Sequence, residues 1–409
     1  MNSYFIDTFE LTAYIPFSYI EANLKGRYGC RPIYKKTKKG KDKFIGYYYP
    51  ASLDNNSEGI EMITKKCSKG EYYNQGENYK IRMKITTRKV PKFKDNIEEI
   101  TDINEFSKML GYVEDFIKHR LPDMTINNFK LTRIDVTKDI HGIPEPMIQE
   151  YIMLMRRTLI AGAYDRNKGL EENTKKFRQE DSFNALKKNG SSSIVEFVVY
   201  NKARAAIDQK MSEIEKEHYK DTMRMEIRCY RKYITEYIKS IGFDKDLSTK
   251  ELLMLIFKCK ADIAEKTFPK VFSMYYDCTF LNHYWLEKHI KKELQGKPKH
   301  MDNMLALERI LNRKRTPDLS EAFELFNSKY KMFDKTKEKY TELGISPLTI
   351  RNKEYPFMQS IASVLEFEEP TDTDIRLFKK LYKKTRQKTL LLHTESGKYD
   401  NYPEVKADE

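Results

Sequence analysis

Apolar positions along the first 240 residues switch between two periods. Three segments alternate, as half-buried strands do, because successive strand side chains point to opposite faces. In LTRIDVTKDI (131–140), Thr132, Ile134 and Val136 share one face; Arg133, Asp135, Thr137 and Asp139 share the other. In SSSIVEFVVYNKARAAI (191–207), Phe197 and Val199 oppose Glu196, Val198, Tyr200 and Lys202. In TMRMEIRCY (222–230), Met223, Met225, Ile227 and Cys229 oppose Arg224, Glu226, Arg228 and Tyr230. IDTFELTAYIP near the start and NYKIRMKITTRKV before residue 91 predict two more strands. The helical period governs 103–117, where Ile103, Phe106, Met109, Leu110, Val113, Phe116 and Ile117 line one face. Asp102 and Glu105 suit its N-terminus, and Leu121-Pro122 ends it. A second helix is expected over 145–161, and an exposed loop or short hairpin over 164–193.

Beyond residue 240 the pattern is predominantly helical. KYTELGISPLTIRNK reads as a helix–Gly turn–helix, either an ordinary corner or a DNA-binding helix-turn-helix. The fold expected is α+β. A largely antiparallel sheet with helices packed on one face occupies 1–240, an all-helical domain follows over 241–395, and 396–409 forms a flexible tail.

Composition narrows the partner more than the fold. The 409 residues carry 75 Lys plus Arg against 61 Asp plus Glu, a net charge of +14, which favours an anionic partner. Part of the excess is local. Residues 31–43, RPIYKKTKKGKDK, hold seven basic residues and one acidic, so Lys35, Lys36, Lys38 and Lys39 are candidate phosphate contacts beside stacking tyrosines. Arg313, Lys314 and Arg315 are candidates in the helical region, and a basic amphipathic segment lies at 376–392. No run of 18 apolar residues predicts a membrane span, and the opening MNSYFID lacks the plan of a signal peptide. The five cysteines form no CxxC pair and read as reduced thiols of a cytosolic protein. The seven histidines are scattered with no HExxH or His-x-His pair, and no phosphate-binding glycine pattern occurs, so an ATPase is not expected.

The polar strand faces carry the candidate chemistry. Asp135, Glu226 and Glu196 would gather on one side of a sheet, with Arg133, Arg224 and Lys202 close by to balance phosphate charge. Carboxylates so grouped suit Mg²⁺ or Mn²⁺, and such an ion stabilises charge on a phosphodiester. A tyrosine aimed at the same phosphate completes a nucleophilic mechanism. Tyr230 shares the polar face with Glu226 and is one nucleophile candidate. Tyr164 and Tyr233 are others.

Four segments in order resemble the replication-associated proteins of filamentous phages and rolling-circle plasmids. These are IDTFELTAYIP, RIDVTKD, VEFVVYNK and MRMEIRCY. The resemblance covers roughly residues 1–240. It implies a metal-dependent endonuclease and strand transferase that nicks an origin and stays attached through tyrosine. Asp135 and Glu226 match the acidic metal positions, Tyr200 the family tyrosine, and Lys202 its companion. The implied partner is origin DNA, single-stranded or cruciform at the nick, with host helicase and polymerase and a second copy of the chain as further candidates. The implied compartment is the bacterial cytoplasm. One departure bears on activity: the family tyrosine–lysine motif continues to a glutamate, and Ala205 stands at that position here. The paired-histidine motif of many other rolling-circle enzymes is also missing. A non-catalytic DNA-binding replication protein is therefore the alternative reading, and an RNA-processing nuclease a third.

Overall fold

The computed structural model describes residues 4–27, 30–36, 40–49, 59–67, 79–90, 99–158, 164–166, 182–190, 192–243, 247–272, 276–311, 319–330, 333–352 and 355–365. Alternating apolar residues build a ten-stranded sheet whose described pairings are antiparallel. Its strands are β1 (Phe5–Ile15), β2 (Arg31–Lys36), β3 (Asp42–Tyr49), β4 (Ile60–Lys66), β5 (Tyr79–Thr86), β6 (Lys130–Ile140), β7 (Tyr164–Arg166), β8 (Ser182–Asn189), β9 (Ser192–Asn201) and β10 (Met223–Tyr230). Their order across the sheet is β2-β3-β4-β5-β1-β6-β10-β9-β8-β7. The three alternating segments thus lie side by side with β1, and their polar faces form one surface.

The opposite face is apolar and covered by helices. Helix α1 (Phe17–Asn23) follows β1, and α2 (Ile103–Arg120) starts at Asp102, whose carboxylate accepts from the amides of Asn104 and Glu105 at 2.8 and 3.1 Å. The buried stripe Phe106, Met109, Leu110, Val113 and Ile117 faces the core. Helix α3 is Glu145–Arg157, α4 Lys202–Asp208, α5 Glu213–His218 and α6 Arg231–Ser240. Beyond these lie α7 (Thr249–Lys258), α8 (Lys260–Phe272), α9 (His283–Glu293), α10 (Pro298–Leu311), α11 (Leu319–Tyr330), α12 (Phe333–Glu342) and α13 (Ile361–Leu365). The later helices pack on the sheet. Phe257 stacks on Phe106 at 4.3 Å, and Phe268 and Phe272 meet Phe197 edge-on at 5.1 and 5.2 Å. One apolar core therefore runs across residue 240, from Ile6 to Val364.

Two segments add to or depart from their expected form; for 164–193 the hairpin alternative is met by the antiparallel pairs β7–β8 and β8–β9, which belong to the main sheet. Within 164–193, Ser182–Asn189 is a sheet strand, β8, with Phe183, Ala185 and Leu186 buried. Its polar sequence hides this, because β7 and β9 flank it on both sides. After α12, Gly344 (φ +66) turns the chain into β12 (Ile345–Ile350), so KYTELGISPLTIRNK is helix–turn–strand. With β11 (Thr279–Asn282) and β13 (Phe357–Met358), β12 adds a three-stranded sheet to the mostly helical C-terminal region. None of the five cysteines forms a disulfide. Among the described residues, no helix is long and apolar enough to cross a membrane.

Candidate metal centre and polar sheet face

Strand register decides which charges meet. On β10, Arg224 lies opposite Asp139 of β6 and Tyr200 of β9; Arg228 lies opposite Asp135 and Glu196; Tyr230 lies opposite Arg133. The network runs between two ends of β10, Arg224 and Tyr230, six residues or about 20 Å of strand apart, and Glu226 joins them.

At the Tyr230 end, the Arg133 guanidinium donates to both oxygens of Asp135 at 2.8 and 2.5 Å, and to Glu10 at 3.2 Å. Burial pushes the Asp135 carboxyl up to about 7, against the pull of Arg133 and Arg228. Glu226 Oε2 accepts from Arg228 Nε and Nη2 at 3.2 and 2.9 Å. Glu196 Oε2 accepts from Arg228 Nη1 at 3.3 Å and from the Tyr230 hydroxyl at 3.1 Å, while its Oε1 accepts from Asn184. The three predicted metal carboxylates thus share one surface, each engaged by an arginine. Burial, with Glu196 next to it, raises the Tyr230 phenol to about 12.

At the other end, Arg224 is 1% exposed and donates to both oxygens of Asp139 at 2.5 Å, and through Nη1 to Asp7 at 3.0 Å. Asp7 reaches this face because the β1–β6 register shifts between Ile6 and Thr8. The Tyr200 hydroxyl donates to Glu226 Oε1 at 2.7 Å. Burial and the Glu226 charge hold the Tyr200 phenol well above its ordinary value. Lys202, expected on the strand face, instead opens α4 and is buried, with its ammonium 4.7 Å from the Tyr219 ring centroid. Burial, with Arg224 and Arg88 alongside, lowers it to about 7. Arg88 donates to the Tyr219 hydroxyl. Three cations, Arg88, Lys202 and Arg224, therefore surround one buried ring.

A trio that no sequence motif marks borders this end. Glu99, His141 and His218 are half-buried, and one ligand atom from each lies within 4.8 Å of the others. It is the one such group of His, Cys, Asp and Glu among the described residues. His141 directly follows β6, and Gly142 (φ +77) turns the chain away behind it. Ser212 and Glu215 cap α5 reciprocally, and that helix ends on His218. The Thr222 hydroxyl lies 2.9 Å from His141 Nδ1 and 3.1 Å from the Lys220 carbonyl, which fixes the orientation of the imidazole, as second-shell partners of metal-binding histidines do. Burial and the neighbouring Asp139 raise Glu99 to about 7, and its buried Oε1 has no hydrogen-bond partner. Two imidazoles and a carboxylate fit a divalent cation, and a first-row transition metal suits imidazole donors better than Mg²⁺ does.

Of the nucleic-acid candidates, Lys35 and Lys36 are exposed on β2 at the sheet edge. Lys38, Lys39, Arg313, Lys314, Arg315, the basic segment 376–392 and the tail lie outside the described residues. Arg224 is inside the protein, committed to Asp139 and Asp7. Tyr233 donates to, or accepts from, Thr267 at 2.9 Å on the helical side, and Tyr164 lies on β7 at the far edge. Ala205 is buried on α4.

No family model and no curated protein matches the chain. A solved structure of a rolling circle replication initiator protein from Geobacillus stearothermophilus gives a weak match. Its TM-score is 0.26 with 11% identity, covering 80% of this chain and 96% of that one.

Proposed function

We propose that this chain is a metal-dependent DNA nicking and strand-transfer enzyme with Tyr200 as nucleophile, initiating rolling-circle replication. The observation that carries the reading is the hydroxyl of Tyr200, held 2.7 Å from the Glu226 carboxylate. It lies at the sheet end that also holds Arg224, Lys202 and the Glu99–His141–His218 trio. A buried phenol is a weak nucleophile, so it needs a base and nearby positive charge. Glu226 accepts the phenolic proton as Tyr200 Oη attacks phosphorus. The bond from phosphorus to the 3′ oxygen breaks, the 3′ oxygen takes a proton from water, and the 5′ phosphate stays on Tyr200. Arg224 and Lys202 lower the cost of charge on the phosphate through the intervening low-dielectric interior. Arg133, Asp135 and Glu196 hold the surrounding face in register rather than meeting the phosphate. A cation held by Glu99, His141 and His218 would supply Lewis-acid stabilisation of the non-bridging oxygens. Tyr230 donates to Glu196 rather than to Glu226, so it does not share the base proposed for Tyr200.

The test uses purified full chain, supercoiled plasmid with the cognate origin, and Mn²⁺. The expected product is nicked DNA with protein on the 5′ end, and peptide mapping places the adduct on Tyr200. EDTA should abolish the nick, and His141→Ala should weaken Mn²⁺ binding measured by calorimetry. If origin DNA is bound but no nick or adduct forms with any of Mn²⁺, Mg²⁺ or Zn²⁺, the non-catalytic reading, which Ala205 favours, replaces this one.

A further inference from the structure

Two tyrosines on the polar face stand in the same relation to a carboxylate. The Tyr200 hydroxyl donates to Glu226 Oε1 at 2.7 Å, and the Tyr230 hydroxyl donates to Glu196 Oε2 at 3.1 Å. One side chain, Arg228, bridges the two carboxylates. Its Nε and Nη2 donate to Glu226 Oε2 at 3.2 and 2.9 Å, and its Nη1 donates to Glu196 Oε2 at 3.3 Å. The strands dictate this placement. Glu226 and Arg228 alternate on β10 and so share a face, and the register sets Glu196 of β9 directly opposite Arg228. Asp135 lies opposite on the other side, but Arg133 already holds both of its oxygens. Glu196 is fixed in turn by Asn184, which donates to its Oε1. An arginine suits this post, because its planar fork reaches two carboxylates at once in a fixed geometry. Both of its bonds to Glu226 fall on Oε2, so Oε1 is left to the Tyr200 hydroxyl.

We infer that Arg228 is a positioning residue for the proton acceptor: by pinning Oε2 of Glu226 against Glu196, it keeps Oε1 on the Tyr200 hydroxyl. The inference rests on the nicking function proposed above, in which Tyr200 Oη passes its proton to that oxygen as it bonds phosphorus and the bond to the 3′ oxygen breaks. Without Arg228 the Glu226 side chain is free to take other rotamers, and a displacement of about 1 Å at a reacting group costs roughly 10²-fold in rate. Arg228 sets one positive charge against the two carboxylates of Glu226 and Glu196. The three groups together offer a phosphate no net attraction, so Arg228 acts through Glu226 rather than on DNA.

Single-turnover nicking and origin binding by the full chain, both with Mn²⁺, test it. Arg228→Ala should nick about 10²-fold more slowly while binding the origin within about twofold of wild type. Guanidinium, added well below denaturing concentrations, should restore at least about tenfold of that rate in Arg228→Ala and nothing in Glu226→Gln. Arg228→Lys keeps the charge without the fork and should recover less than about tenfold. A rate in Arg228→Ala equal to wild type would overturn the positioning role, and so would a loss of rate matched by an equal loss of DNA affinity. Thermal unfolding of each variant checks that the fold persists, and Arg228→Lys carries the same readouts if Arg228→Ala does not fold. A second measurement needs no nick. With tyrosines labelled at ¹³Cζ, the Tyr200 resonance is the one missing in Tyr200→Phe. It should move in Arg228→Ala about as far as it does in Glu226→Ala, and an unmoved resonance would overturn the positioning role. A moved resonance with no nick from the wild-type chain would reject the nicking function and leave the hold of Arg228 on Glu226 standing.

Discussion

At the Tyr200 end of the polar face, Arg224 and Lys202 are 1% and 2% exposed, whereas at the open end beside Glu10 the Arg82 side chain is 48% exposed. Both ends are built from the same alternating strands, yet they manage charge in opposite ways. The buried end closes Arg224 on Asp7 and Asp139, where an unpaired charge would be expensive. The open end leaves the Arg82 guanidinium half exposed 3.9 Å from Glu10, where water screens the pair. Burial fixes geometry, which chemistry needs. Exposure leaves charge available, which binding needs.

Four experiments sharpen that contrast. The largest effect should come from the nucleophile: Tyr200→Phe abolishes the covalent adduct on a gel, while Tyr230→Phe keeps it. Glu226→Gln, which removes the proton acceptor, should slow nicking by about 10²- to 10⁴-fold in single-turnover assays. Adduct formation in Tyr200→Phe equal to wild type would move the chemistry to another tyrosine.

Next comes the buried ion pair. Arg224→Ala strands Asp7 and Asp139 and should cost about 3–5 kcal/mol in urea unfolding. Arg82→Ala at the open end should cost no more than about 1 kcal/mol. Equal losses at both ends would erase the distinction drawn between them.

A smaller effect is tied to pH. Lys202 in the folded chain titrates near 7, below its ordinary value. The unfolded chain therefore holds a proton that the folded chain has released between about pH 7 and 10. Stability should rise with pH through that window, by about 1.4 kcal/mol per unit at most. Lys202→Met should remove that rise, and a parallel pH profile in both proteins would show that Lys202 is not the group responsible. The smallest change expected is in Tyr230→Phe, where losing the 3.1 Å bond to Glu196 costs about 1 kcal/mol or less of stability.

How much of this was readable from sequence follows from the range of each interaction. Alternation is local, so Arg133, Asp135, Glu226, Arg228 and Tyr200 could be put on one face from their spacing alone. The same spacing misplaced Lys202, because β9 ends at Asn201 and the chain turns into α4. Asp7 was missed because a register shift carries it to the polar face. Arg88 falls in the predicted strand NYKIRMKITTRKV, but β5 ends at Thr86 and a turn over Thr87–Lys89 carries it to Tyr219, while Glu99 lies outside every predicted element. The histidine trio escaped the sequence reading for a related reason. A search for short motifs finds pairs close in sequence, whereas His141 and His218 are brought together by the ends of β6 and α5. An ion-pair partner is likewise a matter of register: Asp135 and Glu226 each look like a free carboxylate until Arg133 and Arg228 are set against them.

By itself, then, the sequence determined the α+β class, the polar and apolar sides of the central strands, the start of α2 at Asp102, and the local basic excess. Each depends on residues within a turn or a strand of one another. Tertiary structure alone decided the strand order, the pairing of every buried charge, the gathering of Glu99, His141 and His218, and the separation of Tyr200 from Tyr230. Those depend on which distant segments become neighbours, and the free energy that selects them is the burial of the whole apolar face at once.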